Sequence, residues 1–214
     1  MAGGPLNIII TGVGGQGNVL ASQVVAAAAV EAGLAVAVGE TFGVSQRGGS
    51  VMSHVRLSRD RRYGPLVPAG RAGVIVGFEP LETLRVQMAY GNTETAVIMN
   101  DRPAYPLGVL AGEDEYPALE RVVAAVRGLA GTVKVFPATE LARGAGNAVA
   151  ANMVLTGALA GTGLVPVPLA AFRSVIGMLF DGAVLELNRK AFELGVRAAG
   201  HRSGEVVGGA PAGH

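Results

Sequence analysis

Two glycine-rich stretches in the first fifty residues carry the residue types that hold anionic ligands. Residues 12–17 read Gly-Val-Gly-Gly-Gln-Gly and follow an apolar, β-branched run. Glycines let the backbone approach a phosphate, and the N–H groups at the start of a following helix point toward it. The pattern Gly12-x-Gly14-x-x-Gly17 matches the dinucleotide fingerprint, and Gln16 adds an amide donor and acceptor. This stretch predicts either an NAD(P) site or a tight strand-to-helix turn without a ligand.

The second stretch, residues 45–50, reads Ser-Gln-Arg-Gly-Gly-Ser. Its polar groups and glycines suit a loop that wraps an anionic or heteroaromatic group, and the planar guanidinium of Arg47 suits a phosphate or a carboxylate. An ordinary surface loop with a solvated arginine is the alternative. Just upstream, Glu40 ends an apolar run, where a dinucleotide fold places its ribose-binding acid.

Most of these side chains do not titrate near neutral pH, so the stretches predict positioning and electrostatic roles, and no catalytic residue is assigned. The histidines His54, His201 and His214 are too scattered to predict a metal site. His54 lies inside a strand pattern and is expected to be packed and hydrogen-bonded. The predicted cofactor-binding residues are Gly12, Gly14, Gly15, Gln16, Gly17, Glu40, Ser45, Gln46, Arg47, Gly48 and Gly49.

Five arginines, with Asp60 as the one acid among them, form a basic cluster between Arg56 and Arg71. Such a cluster can face the phosphates of a large cofactor or an acidic electron-carrier protein. It is also typical of a solvated hairpin.

Apolar strand patterns alternate with helical patterns along the chain, which predicts an α/β fold. We expect a Rossmann-like, three-layer domain with a mainly parallel sheet and a helical C-terminal third. The two glycine-rich loops should leave the ends of neighbouring strands at one edge of the sheet, where open α/β sheets bind ligands. Residues 1–202 are interpreted as a single domain and residues 203–214, rich in glycine and alanine, as a flexible tail.

Half of the chain is apolar and 15% is charged, a balance that favours a subunit with a large interface. The net charge of +1 gives no field for nucleic acid or an anionic membrane. Cysteine is absent, so the chain supplies no disulfide and no thiolate ligand for an iron–sulfur cluster. No basic segment precedes the first apolar run, which favours a cytoplasmic location.

No charged residue occurs between Arg143 and Arg173. Glycines, prolines and asparagines interrupt this segment well below the length of a membrane span. It therefore predicts a buried helix over about residues 147–160. The expected anchors are Val149, Met153, Leu155 and Leu159.

With these motifs in place, the chain resembles the gamma-type domain of 2-oxoacid:ferredoxin oxidoreductases, and most of all the beta subunits of indolepyruvate:ferredoxin oxidoreductases. The resemblance rests on residues 12–17, on residues 45–50 leading into Ser53-His54-Val55-Arg56, and on shorter matches that extend it to Gly195. Phe42 stands where the family pattern has a histidine, so another aryl-2-oxoacid remains open as the substrate. The shorter matches are Pro65 to Pro68, Phe78-Glu79, Ala151-Asn152, Gly157 to Leu159 and Ala191 to Gly195.

The resemblance implies oxidative decarboxylation of a 2-oxoacid with thiamine diphosphate and Mg²⁺, electron transfer through iron–sulfur clusters to ferredoxin or another low-potential acceptor, and acyl transfer to coenzyme A. A large catalytic subunit would carry thiamine diphosphate, Mg²⁺ and the clusters, because this chain lacks cysteine and the family's thiamine-diphosphate motif. This chain would shape the active site and the interface and be inactive alone. Two alternatives remain: a stand-alone NAD(P)-binding oxidoreductase that uses the Gly12–Gly17 loop, and a non-catalytic binding subunit.

Overall fold

Strands and helices alternate through the first two thirds of the computed structural model, which describes residues 4–42, 49–105, 109, 111–112 and 115–200. In chain order the described strands and α-helices are β1 (Leu6–Val13), α1 (Asn18–Glu31), β2 (Ala35–Phe42), β3 (Ser50–Ser58), β4 (Val74–Gly77), α2 (Pro80–Tyr90), β5 (Ala96–Asn100), α3 (Leu119–Leu129), β6 (Thr132–Phe136), α4 (Ala138–Ala145), α5 (Ala151–Gly161), α6 (Leu169–Leu179) and α7 (Gly182–Gly200). A 3₁₀ turn, Ala148–Ala150, leads into α5. The predicted tail lies outside the described residues.

The six strands form one sheet in the order β2-β3-β1-β4-β5-β6. The strands β1, β4, β5 and β6 are parallel, whereas β3 is antiparallel to both of its neighbours, β1 and β2. The prediction of a mainly parallel sheet is therefore confirmed. The expectation that β1 and β2 are neighbours is wrong, because β2 turns back into β3 as a hairpin and β3 occupies the place beside β1.

Both faces of the sheet are covered, which confirms the three-layer prediction. Ile8 and Ile10 of β1 face a core built with α1 and α4 to α7. Ile9, on the other face, joins a smaller core with Val86 of α2 and Val126 of α3. The central strands β1, β4 and β5 have alternate residues buried on opposite faces, which explains why they read as continuous apolar runs.

The charge-free segment contains the predicted buried helix, α5, in which Asn152 to Ala160 are all buried. Met153, Leu155 and Leu159 are core residues, as expected. Val149 is not: it lies in the 3₁₀ turn before α5 and is 68% exposed. None of the described helices combines the length and apolarity that crossing a bilayer requires.

Candidate functional site

The first glycine-rich loop connects β1 to α1 and is held by its own side chain. Gln16 folds back so that its Oε1 accepts the backbone N–H of Val13 at 2.8 Å. Gly15 and Gly17 have φ values of 94° and 84°, a backbone conformation that residues with a Cβ rarely adopt. The sequence folds here as a tight strand-to-helix turn because glycine stands at both left-handed positions.

Close packing against the chain's own side chains accounts for two of the fingerprint glycines. A Cβ on Gly12 would lie 2.5 Å from Oε1 of Gln16 and 2.8 Å from Cβ of Phe78, which follows β4. A Cβ on Gly17 would collide with the amide of Asn152 in α5. A Cβ on Gly15 would meet open space, so the loop is open at Gly15.

The end of the second glycine-rich stretch, Gly49 and Ser50, lies beside the first. Gly49 accepts a hydrogen bond from the backbone N–H of Gly14 at 3.0 Å through its carbonyl oxygen. Phe42, the last residue of β2, pairs with Val51 near the start of β3. The candidate ligand residues Ser45, Gln46, Arg47 and Gly48 lie outside the described residues. Gly49 and Ser50 therefore meet the first stretch at the edge of the sheet where β1 ends.

Glu40 does not occupy the position of a dinucleotide-binding acid. It lies on the edge strand β2, is exposed and pairs with Ser53 of β3. Because β3 separates β2 from β1, Glu40 is two strand spacings, ~10 Å, away from β1. In a dinucleotide fold the acid-bearing strand lies directly beside β1.

The start of α1 carries polar groups that have no hydrogen-bond partner in the described part of the chain. Gly17 precedes the helix in the left-handed conformation, no side chain caps it, and no acidic residue lies in its first turn. Asn18 is only 3% exposed, and neither its Oδ1 nor its Nδ2 has a hydrogen-bond partner in the described part of the chain. Unpaired N–H groups and the helix dipole together favour an anion at this end.

A cavity of about 300 Å³ opens next to this loop, at the carboxyl ends of β1, β4 and β5. Gly15 and Gln16 form one wall, while the opposite wall comes from the 3₁₀ turn and α5. This edge of an open α/β sheet, near the point where the strand order reverses, is the usual ligand position. Its lining includes Phe78, Asn100, Arg102, Thr139, Val149 and Leu155.

Three polar lining residues were missing from the sequence-based prediction. Asn100 ends β5 and is fixed by Thr139: its Nδ2 donates to Oγ1 of Thr139 at 3.1 Å, and its Oδ1 accepts the Thr139 N–H at 3.3 Å. Arg102 is half-exposed and lies 3.6 Å from Oε1 of Glu140. Their positions just after the ends of β5 and β6 are the signal that could have identified them.

Glu79, directly before α2, is 1% exposed and ties the segment next to the cavity to the sheet. One carboxylate oxygen accepts the N–H of Glu82 at 2.8 Å and so caps α2. The other accepts the Ala104 N–H at 3.4 Å and the hydroxyl of Tyr116. Burial and, next, the hydrogen bond to Glu79 raise the pKa of Tyr116 well above its usual range, so its hydroxyl stays a donor.

Comparison with known proteins gives consistent results. Indolepyruvate oxidoreductase subunit IorB of Thermococcus kodakarensis is 43% identical over 194 residues, which cover 90% of this chain and 95% of the relative. A 2-oxoglutarate:ferredoxin oxidoreductase of Magnetococcus marinus has the same fold, with a TM-score of 0.71 and 24% identity, and the match covers 92% of this chain and 31% of that one. The gamma subunit of a keto/oxoacid ferredoxin oxidoreductase of Geobacter sulfurreducens matches with a TM-score of 0.65 and 23% identity, over 90% of this chain and 97% of that one.

The sequence profile of the pyruvate ferredoxin/flavodoxin oxidoreductase family matches residues 7–198, which include nearly all of α7 and all of the described sheet except Leu6. With this match and the 43% identity to a curated relative, the chain belongs to the pyruvate ferredoxin/flavodoxin oxidoreductase family.

Proposed function

We propose that this chain is one subunit of a thiamine-diphosphate-dependent 2-oxoacid:ferredoxin oxidoreductase that converts indolepyruvate or another aryl-2-oxoacid to an acyl-CoA, CO₂ and reduced ferredoxin. The observation that carries the proposal is the 43% identity, over 90% of the chain, to a curated relative named as an indolepyruvate oxidoreductase subunit. The match also extends over 95% of that relative.

The division of labour follows from the residue types of the chain. With no cysteine among its 214 residues, the chain has no thiolate to bind an iron–sulfur cluster. The clusters, thiamine diphosphate and Mg²⁺ therefore belong to a large partner subunit, which passes electrons to ferredoxin or another low-potential acceptor. The described chain and its partner form a hetero-oligomer in the cytoplasm.

This chain contributes the glycine-rich edge of the sheet as a wall of the shared active site. Gly15 leaves the backbone open to a ligand, and the uncapped start of α1 with the buried, unpaired amide of Asn18 suits an anionic group such as a phosphate. Arg102 adds a positive charge at the cavity. These donors fit the phosphates of coenzyme A, whose thiol accepts the acyl group. In this role the residues bind and orient the ligand, and none of them transfers a proton.

The stand-alone NAD(P) oxidoreductase is less well supported. Its one favourable observation is the fingerprint Gly12-x-Gly14-x-x-Gly17. Gly12 and Gly17 instead make room for Gln16, Phe78 and Asn152, and Glu40 lies a strand too far from β1. NADH titrated into the purified chain should therefore give no saturable binding.

The proposal is tested by co-expressing this chain with the large subunit from the same organism. The purified complex should reduce a viologen dye with indolepyruvate or phenylpyruvate in a reaction that needs coenzyme A, while this chain alone should show no turnover. Turnover by the single chain, or a complex that is inactive with every aryl-2-oxoacid and also with pyruvate and 2-oxoglutarate, would contradict the proposal.

The second glycine-rich stretch is tested in the same complex through Arg47. Arg47→Lys keeps the charge and loses the planar fork, so it should leave assembly intact and lower turnover ~10- to 1000-fold. Arg127→Lys, an exposed residue in the last turn of α3, is the matched control and should leave turnover unchanged. Wild-type turnover from an assembled Arg47→Lys complex would show that this loop is not part of the active site.

A further inference from the structure

The arginine patch, defined as Arg56, Arg59, Arg61, Arg62 and Arg71, is the most strongly charged surface feature outside the cavity. Five of the chain's 17 basic residues fall in this short stretch. Within it, Asp60 is the one acid, and its carboxylate accepts the hydroxyl of Ser58 at 2.7 Å. The patch is therefore strongly positive in a chain whose net charge is only +1.

Specific contacts bring two of the arginines, Arg56 and Arg61, together around Tyr63. The guanidinium carbons of Arg56 and Arg61 lie 5.1 Å and 4.8 Å from the centre of the Tyr63 ring. Arg61 also donates from Nε to the Tyr63 hydroxyl at 2.8 Å. Asn7 of β1 accepts from Nε of Arg56 at 2.9 Å and donates to the backbone oxygen of Arg71 at 2.8 Å. Cation–π contacts thus hold the Arg56 and Arg61 side chains around Tyr63, and Asn7 ties Arg56 to the backbone of Arg71.

Arg56 lies in β3, whereas residues 59–73, which carry the other four arginines, form no helix or strand, yet they are fixed to the sheet. Arg56 donates to the carbonyl oxygens of Gly64 and Leu66 at 2.9 Å and 3.2 Å. The backbone N–H of Val67 donates to Nδ1 of the buried His54 at 3.2 Å. A binding surface that is already ordered loses less conformational entropy when a partner docks, which distinguishes the patch from a mobile, solvated hairpin.

The exposed members of the patch are available for a partner. Arg59, Arg61, Arg62 and Arg71 are exposed, and none of the ion pairs found in the described part of the chain involves them. Besides Asp60, one more acidic residue, Glu94, is close to this segment in the fold. It lies two residues after Asn92, whose side chain donates to the carbonyl oxygen of Gly70. The patch lies where β3 ends and β1 begins, at the edge of the sheet opposite the glycine-rich loops. A partner bound here does not compete with a ligand in the cavity.

The chemistry of the patch selects among possible partners. Obligate subunit interfaces are mainly apolar and depleted of charge at their centre, whereas transient encounters are small and charged. Nucleic acid requires a more extended positive surface than a chain of net charge +1 provides. Arginine forks spread over an exposed segment match the carboxylates of an acidic protein surface.

We propose that the arginine patch is the docking surface for the acidic electron-carrier protein that accepts the reducing equivalents of the reaction. The inference rests on the proposed function. The patch acts on the encounter and the orientation of the carrier, and electron transfer itself takes place at the partner subunit's clusters. Electrostatic steering of this kind raises the association rate and weakens with ionic strength.

The test uses the complete complex and a purified ferredoxin of net negative charge. Arg59→Glu/Arg62→Glu reverses two exposed charges that make no hydrogen bond or ion pair with the described part of the chain, so folding is not at risk. At low ionic strength the KM for ferredoxin should rise at least ~10-fold with kcat unchanged, and the directly measured Kd should rise in parallel. The wild-type KM should rise with salt, and that of the double variant should depend on salt far less.

Two controls separate the possible failures. Arg127→Glu, on α3 beside β6, reverses an exposed arginine charge away from the patch and should leave the ferredoxin KM unchanged. Turnover with a saturating viologen dye should be equal in all variants. An unmoved ferredoxin KM, an equal shift in Arg127→Glu, or a rise in the KM for coenzyme A instead would overturn the patch assignment alone. A complex without 2-oxoacid-dependent viologen reduction would overturn the proposed function and this inference together.

Discussion

Gly157 of α5 faces the backbone of Phe192 in α7 with no space for a side chain. A Cβ on Gly157 would lie 2.8 Å from the carbonyl carbon of Phe192 and overlap its oxygen. Gly195 makes the reciprocal contact, since its Cβ would lie 2.8 Å from the backbone nitrogen of Ala158. The two helices therefore touch backbone to backbone in the charge-free part of the core.

Gly157→Ala should destabilise the chain by about 1–3 kcal/mol or more, because backbone atoms cannot move aside as a flexible side chain can. Gly128→Ala in α3 is the matched control. Its Cβ would meet open space, and it should be neutral or stabilise by up to ~1 kcal/mol through helix propensity. Urea denaturation of both variants measures the difference. Equal midpoints would show that the helix contact can relax.

Leu155→Asp should abolish folding, or cost more than about 4 kcal/mol, because Leu155 is 1% exposed and the carboxylate would be buried without a partner. Val149→Asp, a few residues earlier and 68% exposed, should change the free energy of unfolding by less than ~0.5 kcal/mol. Soluble expression and urea denaturation compare the two. A soluble Leu155→Asp variant of wild-type stability would contradict the burial of α5.

His54 should make stability depend on pH below its ordinary pKa. Burial and, secondarily, the charge of Arg56 lower the pKa of His54 from 6.5. Its Nδ1 accepts the Val67 N–H, so the neutral ring carries its proton on Nε2, next to Thr41 Oγ1 at 3.2 Å. Above pH 6.5 the ring is neutral in both states and its contribution is complete. As the pH falls below that value, His54 is protonated in the unfolded chain but stays neutral in the folded chain, where its pKa is lower. Proton binding then favours the unfolded chain, and stability is lost.

The measurement is the free energy of unfolding of the wild type and of His54→Gln between about pH 8 and about pH 5, where one titrating group contributes at most ~1.4 kcal/mol per pH unit. The wild type should lose more stability than His54→Gln over this range. The carboxylates, common to both proteins, cancel in the comparison. Parallel curves would show that His54 titrates normally in the folded chain.

Glu79 and Tyr116 should be energetically coupled. Glu79→Gln keeps the shape of the side chain but weakens the acceptor for the Glu82 and Ala104 N–H groups and the Tyr116 hydroxyl, at a cost of about 1–3 kcal/mol. Tyr116→Phe removes one donor. A double-mutant cycle compares the cost of each substitution in the wild type with its cost in the other variant. The cost in the other variant should be smaller by at least ~0.5 kcal/mol. Additive effects would show that this hydrogen bond contributes nothing measurable.

The apolar runs predicted most strands because β1, β4 and β5 are buried on both faces. The direction of β3 was also within reach of the sequence. Only seven residues separate Phe42 from Ser50, too few for the crossover that a parallel neighbour needs, so a hairpin was the available connection. Helix α4, Ala138–Ala145, was not predicted, since its eight residues bury only Ala138, Ala142 and Ala145 and show a short apolar stripe.

The candidate site was predicted in part. The local motif indicated the turn at Gly12 to Gly17, because this turn depends only on adjacent residues: a β-branched strand followed directly by glycines that can adopt the left-handed conformation. Asn100, Arg102 and Thr139 become neighbours only through the parallel order of β5 and β6, which no local pattern contains. The prediction that Val149 is buried was wrong because the absence of charge indicates a buried segment but does not fix the residue at which its helix begins.

The backbone contact between α5 and α7 also links the glycine-rich loop to the C-terminal helix. Asn152, at the start of α5, fills the space over Gly17, and Gly157, further along the same helix, lies against Phe192. With rigid backbone on both sides of the contact, neither helix can unfold locally without the other. We therefore expect their amide hydrogens to exchange with solvent as one cooperative unit, separately from those of α3 on the opposite face of the sheet.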